Sequence, residues 1–308
     1  MQACRNPLSD GRWHFQHGPM DLVIQAEGAA DAVARAHERA WARFEGLLQE
    51  LVDELPALRA PVEGGACPLR GVVARRMWTA CRPYRAGFIT AMAAVAGSVA
   101  QEILGCYAQD GIGRAWVNNG GDIALHLAPG QSATVGVYSD IAALDAAQWR
   151  HGLVLDGKIR IDSAMPVRGV ATSGWRGRSH SLGIADSVTV LARTAAEADA
   201  AATIVANAVN VDDERILRMP AWRVRDDSDL GAIPVTVDVP PLPAGLAHRA
   251  LGQGLQKAQE LQAQGLLWFA LLACQGQFVA TAAAQPAADG MALPVEMAPQ
   301  AEVGSVFA

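Results

Sequence analysis

Three short polar segments in an otherwise apolar sequence carry residue types that bind phosphate or a hard metal ion. They are residues 117–123 (VNNGGDI), 169–174 (GVATSG) and 198–203 (ADAAAT). Each combines glycine or other small residues, which let a ligand approach the backbone, with side-chain oxygens that can hydrogen-bond or coordinate it. We therefore predict that a binding site is built from residues 117–210.

The first segment is predicted to be a turn that also contacts a ligand. Asn-Gly between two β-rich runs is the strongest short hairpin signal, but here five turn-type residues come together. The second glycine and the carboxylate favour close approach of the backbone to a ligand, so the predicted binding residues are Asn119, Gly120, Gly121 and Asp122. A purely structural hairpin is an equal alternative, and the two are compatible.

The second segment offers hydroxyls and backbone N–H groups to a phosphate or a ribose. Thr172, Ser173 and Gly174 follow a predicted strand, where a run of N–H groups suits an anion, although an ordinary turn at a strand end is the alternative. His180 is a candidate for base contact or proton transfer, but a histidine in a surface loop is the more common case. Residues 226–229 (DDSD) resemble a cation site, and a solvated acidic loop is again more common.

The third segment places a carboxylate and a hydroxyl on one face of a predicted helix. Thr194 and Glu197 have the spacing of a capping box, which predicts that the helix begins there and runs to about residue 209. Asp199 and Thr203 are four residues apart and point the same way, which suits a hard cation such as Mg²⁺. The alternative is structural, because acidic residues favour the first helical turn and helical threonines bond to the preceding turn.

Helices and strands follow one another without regular alternation. Helices are predicted over residues 29–58, 88–104, 194–209 and 248–265, with Thr90 as the N-cap of the second. A hairpin is predicted over residues 12–26, and further strands over 115–117, 123–127, 133–138, 159–161, 167–171, 187–191 and 235–239. This order, with no Gly-x-Gly-x-x-Gly that opens a helix, favours one α+β domain over a Rossmann fold. The domain is predicted to cover residues 1–281, followed by an Ala/Pro-rich, disordered tail at 282–308.

The composition predicts a compact globular protein of the cytoplasm. Hydrophobic residues make up 51% and charged residues 18% of the chain, and the net charge of −6 argues against general nucleic-acid binding. Five cysteines without a C-x-x-C motif predict reduced thiols and no zinc site. The first residues lack an apolar run, and the longest such run, residues 266–274, is too short to cross a membrane. Neither a signal peptide nor a membrane segment is therefore predicted.

In this order, the segments resemble the ApbE-like superfamily, whose best-known members are FAD:protein FMN transferases. Within it, the sequence is most similar to the UPF0280 family. The resemblance extends over residues 8–240. It is carried by residues 10–12 (DGR), 17–22 (HGPMDL), 92–97 (MAAVAG), 117–124 (VNNGGDIA), 172–174 (TSG), 178–186 (RSHSLGIAD) and 199–210.

The resemblance implies an α+β fold of mixed antiparallel sheets packed with helices, with FAD bound in a cleft. It implies that Asp199 and Thr203, which match an A-D-x-x-x-T helix motif, hold a Mg²⁺ ion that bridges the pyrophosphate. Residues 120–122 and 172–174 match the Gly-Gly-Asp and Thr-Ser-Gly motifs of the transferases. The implied reaction is attack of a protein threonine hydroxyl on the FMN phosphorus, with AMP leaving and Mg²⁺ offsetting the developing charge. Asp199 and His180 are the predicted catalytic residues.

The sequence departs from the transferases at two places. Ala96 stands where they carry a lysine, and only His180 persists from their His-Ile-Ile-Asp-Pro-x-Thr-Gly segment. The expected partners are a flavin or related nucleotide and, for the transfer reaction, an acceptor protein. The small-residue helix at 90–104 is expected to pack either within the chain or against a second copy in a homo-oligomer.

Two alternative functions stay open at this point. UPF0280 proteins resemble ones from organisms that make the methanopterin-type one-carbon carrier, so a step in tetrahydromethanopterin-type cofactor biosynthesis is the second enzymatic hypothesis. A non-catalytic accessory protein that binds a flavin or nucleotide is the other. The latter predicts binding without turnover.

Overall fold

An antiparallel sheet forms the centre of the molecule. The computed structural model describes residues 2–137, 153–155, 157–177, 179–282, 295–296 and 301–303. Its helices are α1 (Ala30–Asp53), α2 (Leu55–Leu58), α3 (Val72–Cys81), α4 (Val95–Leu104), α5 (Ala195–Ala208), α6 (Ala221–Val224) and α7 (Ala244–Ala263), with 3-10 turns at Arg82–Tyr84 and Ala91–Ala94. Its strands are β1 (Cys4–Pro7), β2 (Trp13–His17), β3 (Met20–Gly28), β4 (Ile112–Asn119), β5 (Asp122–Leu127), β6 (Ser132–Val137), β7 (Leu153–Leu155), β8 (Gly157–Asp162), β9 (Gly169–Ser173), β10 (Ser187–Ala192), β11 (Leu217–Pro220), β12 (Pro234–Asp238), β13 (Phe269–Cys274), β14 (Gln277–Ala280), β15 (Val295–Glu296) and β16 (Ala301–Val303).

The strand order explains how distant segments become neighbours. Across the described ranges, the central sheet has the order β1-β2-β3-β4-β5-β9-β10-β13-β14, and each pair of neighbours is antiparallel. Short turns join β2 to β3 and β4 to β5, as the sequence predicts. Between β5 and β9 the chain leaves to form β6 and β8 of a smaller sheet, β15-β8-β6, and then returns to the central sheet beside β5. The predicted α+β class is confirmed.

Both faces of the central sheet are covered. Helices α1, α3, α4, α5 and α7 pack on one face and share a large apolar core with the strands, including Phe44, Val99, Val117, Val188 and Leu272. The other face packs against β6 and β8 through a second cluster that includes Leu125, Val135, Ile159, Val170 and Phe269. Because the sheet is covered on both faces, every residue of β10 and β13 is buried.

Helix α5 is enclosed by other elements on most of its surface. It packs against β9, β10, α4 and α7. Its alanines are buried at positions 195, 196, 198, 200, 201, 202 and 206. Small side chains let these neighbours approach the helix backbone closely, which fixes the position of the few polar residues on it. The predicted N-cap is confirmed, since the Thr194 hydroxyl accepts the Glu197 N–H at 3.2 Å.

The predicted helix at 88–104 is wrong at its beginning. α4 begins only at Val95, and the 3-10 turn Ala91–Ala94 precedes it. Thr90 makes no side-chain cap, because its hydroxyl donates to the carboxylate of Asp229 and not to the turn that follows. A run of small residues is compatible with either backbone conformation, so the boundary could not be located from the pattern.

Two further predictions fall partly outside the described residues. The predicted strand at 133–138 corresponds to β6, while Tyr138 itself lies outside. Most of the predicted tail at 282–308 also lies outside. In the parts of it that are described, β15 pairs with β8 and β16 pairs with β7. The domain boundary at 281 therefore stays a prediction. Among the helices of the described ranges, none is both long and apolar enough to span a membrane.

The Thr194 cap provides a test of how the beginning of α5 is held. We expect Thr194→Ala to lower the free energy of unfolding by about 1 kcal/mol, because the Glu197 N–H loses its acceptor. Thr79→Ala is the matched control, since it removes an exposed hydroxyl that bonds only to the Arg75 carbonyl within α3. Urea denaturation of both variants measures the difference. Equal losses in the two variants would contradict a specific role for the cap.

Candidate functional site

Two carboxyl groups from distant parts of the chain meet at the centre of the candidate site. Asp122 opens β5 at the end of the β4–β5 turn, and Asp199 lies in the first half of α5. The two side chains are close enough to hydrogen-bond to each other when one is protonated. Asp122 is buried and Asp199 is partly exposed. The first and third polar segments of the sequence therefore form one site.

The described residues provide no positively charged partner that shifts the pKa of either member of the carboxyl pair. Burial raises the pKa of Asp199 to about 7. Burial also raises the pKa of Asp122 well above its ordinary value, and repulsion by Asp199 adds to this. Within the described part of the chain, no lysine or arginine is among the groups that shift either pKa. The raised pKa values therefore favour a proton shared by the pair near neutral pH, unless a cation takes its place.

The backbone of the first turn of α4 holds Asp199 in position. The Gly97 N–H donates to Asp199 Oδ2 at 2.9 Å, and the Ala96 backbone also hydrogen-bonds to this carboxyl. A Cβ atom on Gly97 would lie 2.3 Å from the Ala195 carbonyl oxygen and 3.0 Å from the Asp199 Cβ. Only glycine allows this approach. Sequence reasoning missed this role, although the small-residue run that precedes α4 was a signal of close packing.

The second polar segment joins the pair through its backbone. Asp122 Oδ1 accepts the Thr172 N–H at 3.2 Å, and the Thr172 hydroxyl lies 3.0 Å from the hydroxyl of Thr189 on β10. Ser173 is the next residue on β9 and is partly exposed. Gly174 packs directly against the Asp186 carbonyl, which a Cβ would approach to 2.3 Å. All three predicted segments therefore adjoin one another.

The turn between β4 and β5 presents its backbone to open space beside the pair. Gly120 and Gly121 form a two-residue loop with φ of 65° and 112°, values that favour glycine. The Asn118 side chain accepts the Gly121 N–H at 2.8 Å and fixes the loop. Gly120 is exposed, and a Cβ on Gly121 would meet no atom within 4 Å. The turn is a hairpin, as one alternative predicted, and its backbone is accessible to a ligand.

Asn119, which the sequence suggested as a ligand contact, is buried and bonded within the protein. Its Nδ2 donates to the Ala96 carbonyl at 3.1 Å, and its Oδ1 accepts the Asp21 N–H at 3.3 Å. The amide ties the β3–β4 end of the sheet to the segment that holds Asp199. The structure therefore places Asn119 as a support of the site.

The remaining predicted residues lie at different distances from the pair. Thr203 is one turn along α5 from Asp199 and partly exposed, and its hydroxyl makes no hydrogen bond to any described residue. His180 faces a different set of groups. Burial lowers its pKa, Arg225 lowers it further, and Asp229 raises it. His180 thus lies beside the loop at 225–231, in which Asp229 is bonded to Thr90.

The donor set of the site suits a hard cation that keeps other ligands. Two carboxylates and the Thr203 hydroxyl supply only oxygen atoms. The described ranges contain no group of three or more His, Cys, Asp or Glu that could hold a metal. Mg²⁺ is usually bound by one or two carboxylates together with waters and substrate phosphates, so the residues present fit Mg²⁺ better than a metal that needs a complete protein cage.

Comparison with known proteins assigns the chain to a family. Residues 5–280 match the model of the family described as AbpE bacteria. The chain belongs to this family. The matched range contains every residue of the site described above, from Asp21 to Asp229.

Curated relatives of this AbpE-family chain are UPF0280 proteins, which confirms the predicted resemblance. The protein from Methanopyrus kandleri is 37% identical over 157 residues, 50% of this chain and 56% of that protein. The Methanothermobacter thermautotrophicus protein is 38% identical over 144 residues, 46% of this chain and 50% of that protein. This chain thus spans about half the length of these two relatives. The Methanosarcina barkeri protein is 31% identical over 205 residues, 66% of this chain and 74% of that protein.

Among solved structures, the chain is similar to the apo form of the flavinyl transferase ApbE from Pseudomonas stutzeri. The superposition covers 91% of this chain and 93% of that one, with 12% identity and a TM-score of 0.41. A likeness at this level does not bear on activity.

The carboxyl pair predicts an unusual pH dependence of stability. The raised pKa values mean that the folded state keeps protons that the unfolded state releases above about pH 4. The free energy of unfolding therefore falls as pH rises from about 4 through 7 and above. Asp122→Asn removes one ionisable group and keeps an oxygen for the Thr172 N–H. Without added metal, we expect this variant to melt a few degrees above wild type at pH 8, and the difference to shrink towards pH 5.

Thermal melts in EDTA between pH 5 and pH 8.5 measure this difference. Asp53→Asn, which alters an exposed carboxylate at the end of α1, is the control and should leave the pH profile unchanged. If Asp122→Asn were less stable than wild type at pH 8, the pKa values of Asp122 and Asp199 would not be raised in the folded protein.

Gly97 provides a separate test of the backbone support. We expect Gly97→Ala to lower the free energy of unfolding by about 1–3 kcal/mol, because the new methyl group collides with the Ala195 carbonyl. Gly46→Ala, at an exposed position of α1 with no atom within 4 Å of the new Cβ, should instead stabilise by about 0.5–1 kcal/mol. Urea denaturation gives the change in the free energy of unfolding for both variants. If Gly97→Ala stabilised the protein as Gly46→Ala does, the close packing inferred at Gly97 would be wrong.

Proposed function

We propose that this protein is a Mg²⁺-dependent enzyme that acts on a flavin or related nucleotide, with transfer of FMN from FAD to a protein threonine as its specific reaction. The observation that carries the proposal is the pair formed by the buried Asp122 and the partly exposed Asp199, with no lysine or arginine acting on it in the described part of the chain. Two adjacent carboxylates without a basic partner are stabilised by either a proton or a cation. A divalent cation that also binds the substrate phosphate would neutralise both carboxylates.

The choice of a flavin nucleotide rests on the motifs. Residues 120–122 and 172–174, together with Asp199 and Thr203, stand in the order that resembles the FAD:protein FMN transferases. Their arrangement around one carboxyl pair supports a shared role. The family comparison assigns the chain to a family without naming a substrate, so the substrate is part of the proposal.

Each part of the site takes a role in this proposal. Asp199 and Thr203 hold the metal from one face of α5. The backbone of Gly120 and Gly121 lies against the ligand, since it faces open space next to Asp122. The hydroxyl of Ser173 is the accessible donor of the second segment, because the Thr172 N–H and hydroxyl are already bonded to Asp122 and Thr189.

The transfer reaction balances as a displacement at phosphorus. The acceptor threonine Oγ forms a bond to the phosphorus of the FMN half of FAD, the bond from that phosphorus to the bridging oxygen breaks, and AMP leaves with that oxygen. Asp122, which is ionised once a cation has replaced the proton of the pair, would take the hydroxyl proton. When bound, Mg²⁺ would offset the charge that develops on the phosphate oxygens.

Ala96 leaves the site without the positive charge that a lysine at this position would offer to the phosphate. The transferases carry a lysine at the matching position, whereas here the Ala96 backbone contributes a carbonyl to Asn119 and hydrogen-bonds to Asp199. The proposal therefore assigns the neutralisation of phosphate charge to the metal alone. Activity should depend on Mg²⁺ more strictly than in an enzyme that also has the lysine.

The test is a titration of the purified protein with FAD, followed by fluorescence quenching in Mg²⁺ and in EDTA. Release of AMP is measured in the same samples, in which water takes the place of the acceptor threonine as the nucleophile. We expect saturable binding that requires Mg²⁺, accompanied by AMP. Asp199→Asn should weaken Mg²⁺-dependent binding about a hundredfold and Thr203→Ala about tenfold, while Thr203→Ser, which keeps the hydroxyl, stays close to wild type.

Glu197→Gln is the matched control, because Glu197 lies on the same helix but pairs with Arg193. It should bind FAD as wild type does. Binding of FAD without AMP would overturn the transferase reaction and leave a binding role. If FAD does not bind in Mg²⁺ at all, the flavin assignment is wrong.

A further inference from the structure

A second polar cluster, formed by Thr90, His180, Arg225 and Asp229, has no role in the reaction proposed above. The hydroxyl of Thr90, which is buried, donates to Asp229 Oδ2. Arg225 and Asp229 are the charged groups that act on His180. The four residues come from three separate parts of the chain, so their meeting is a product of the tertiary structure.

This cluster adjoins the carboxyl pair. The thiol of Cys81, at the end of α3, is fully buried and is acted on electrostatically by both Asp199 and Asp229. Charges act on a buried group in this way only from nearby. The loop at 225–231 and the carboxyl pair therefore both lie near the same buried thiol.

The cluster has hydrogen-bonding capacity that the described residues leave unused. His180 Nε2 is buried and has no hydrogen-bond partner in the described part of the chain. Thr90 occupies one oxygen of Asp229, and the other accepts no hydrogen bond from a described residue. A buried nitrogen without a partner is unfavourable in a folded protein, so it indicates either a ligand or a water at this position.

The charges of Asp229 and Arg225 limit what can bind beside His180 Nε2. A phosphate would be repelled by Asp229, and a metal ion would be repelled by Arg225 and would find only one carboxylate. A neutral group with both a donor and an acceptor fits better, because its N–H can bond to Asp229 while its neighbouring atom bonds to His180. Such pairs occur along the edges of nitrogen heterocycles.

We propose that His180 and Asp229 form a recognition site for the edge of a nitrogen heterocycle, with Asp229 accepting a ring or amino N–H and His180 Nε2 bonding to the adjacent ring atom. The inference rests on the proposed function, because it assigns one end of the nucleotide ligand to this cluster and the phosphate end to the carboxyl pair. It gives His180 the base contact, which was one of the two roles that the sequence suggested, and not proton transfer. The purine and the flavin ring both offer this chemistry.

The experiment compares ligands that differ only in the hydrogen-bond donor. AMP is compared with purine riboside 5′-monophosphate, which lacks the amino group, and FMN with N3-methyl FMN, whose ring N–H is blocked. Binding to the full chain in Mg²⁺ is measured by calorimetry. In one of the two pairs, we expect wild type to bind the ligand that carries the donor about tenfold more tightly. This is the effect of one hydrogen bond to a charged group. The pair that shows the difference identifies the ring that binds here.

Asp229→Ala should reduce this preference to about twofold or less. Asp229→Asn is the second variant, because it retains an oxygen for the Thr90 hydroxyl while replacing the charged acceptor, and it should also lose most of the preference. Asp226→Ala is the matched control, since Asp226 is an exposed carboxylate of the same loop, and it should discriminate as wild type does. Thermal melts of all variants verify the fold.

The outcomes separate this inference from the proposed function. If wild type binds these ligands in Mg²⁺ but prefers neither donor, or if both Asp229 variants keep the preference, the recognition site is wrong and the proposed function stands. If neither AMP nor FMN nor FAD binds to wild type, the proposed function fails, and this inference fails with it. Loss of the preference in both Asp229 variants, but not in Asp226→Ala, supports the site.

Discussion

The site depends on the contact between the carboxyl groups of Asp122 and Asp199. One lies at a strand end and the other on a helix, so their meeting requires β5, β9 and α5 to be correctly placed. Burial alone makes this contact unfavourable when both groups are ionised, as the raised pKa values of both groups show. The fold maintains an arrangement that favours an added proton or cation, which is typical of functional sites.

The packing around α5 makes that arrangement possible. Its buried alanines bring neighbouring backbone into contact, so the Gly97 N–H reaches the Asp199 carboxylate without an intervening side chain. Backbone groups are positioned more rigidly than long side chains, and they cannot ionise. The protein thus holds an acidic pair with fixed dipoles, and leaves the compensating charge to be supplied from outside. Asn119 extends this support to the edge of β3.

Two polar regions of different chemistry adjoin the same buried thiol. The carboxyl pair offers only oxygen atoms and negative charge, whereas the cluster around Asp229 combines a carboxylate, an imidazole and a guanidinium. A ligand that carries phosphates at one end and a ring at the other would find complementary groups at both. This division of charge distinguishes the site from a simple metal centre.

The sequence by itself determined the features that depend on neighbouring residues. The β2–β3 and β4–β5 hairpins, the Thr194 cap, the α+β class and the three polar segments follow from turn residues, capping residues and periodicity within a few positions. Tertiary structure alone decided that Asp122 meets Asp199, that Gly97 supports Asp199, and that Thr90 bonds to Asp229 and caps no helix. These contacts join segments far apart in the chain, and they depend on strand order and burial, which no local pattern encodes.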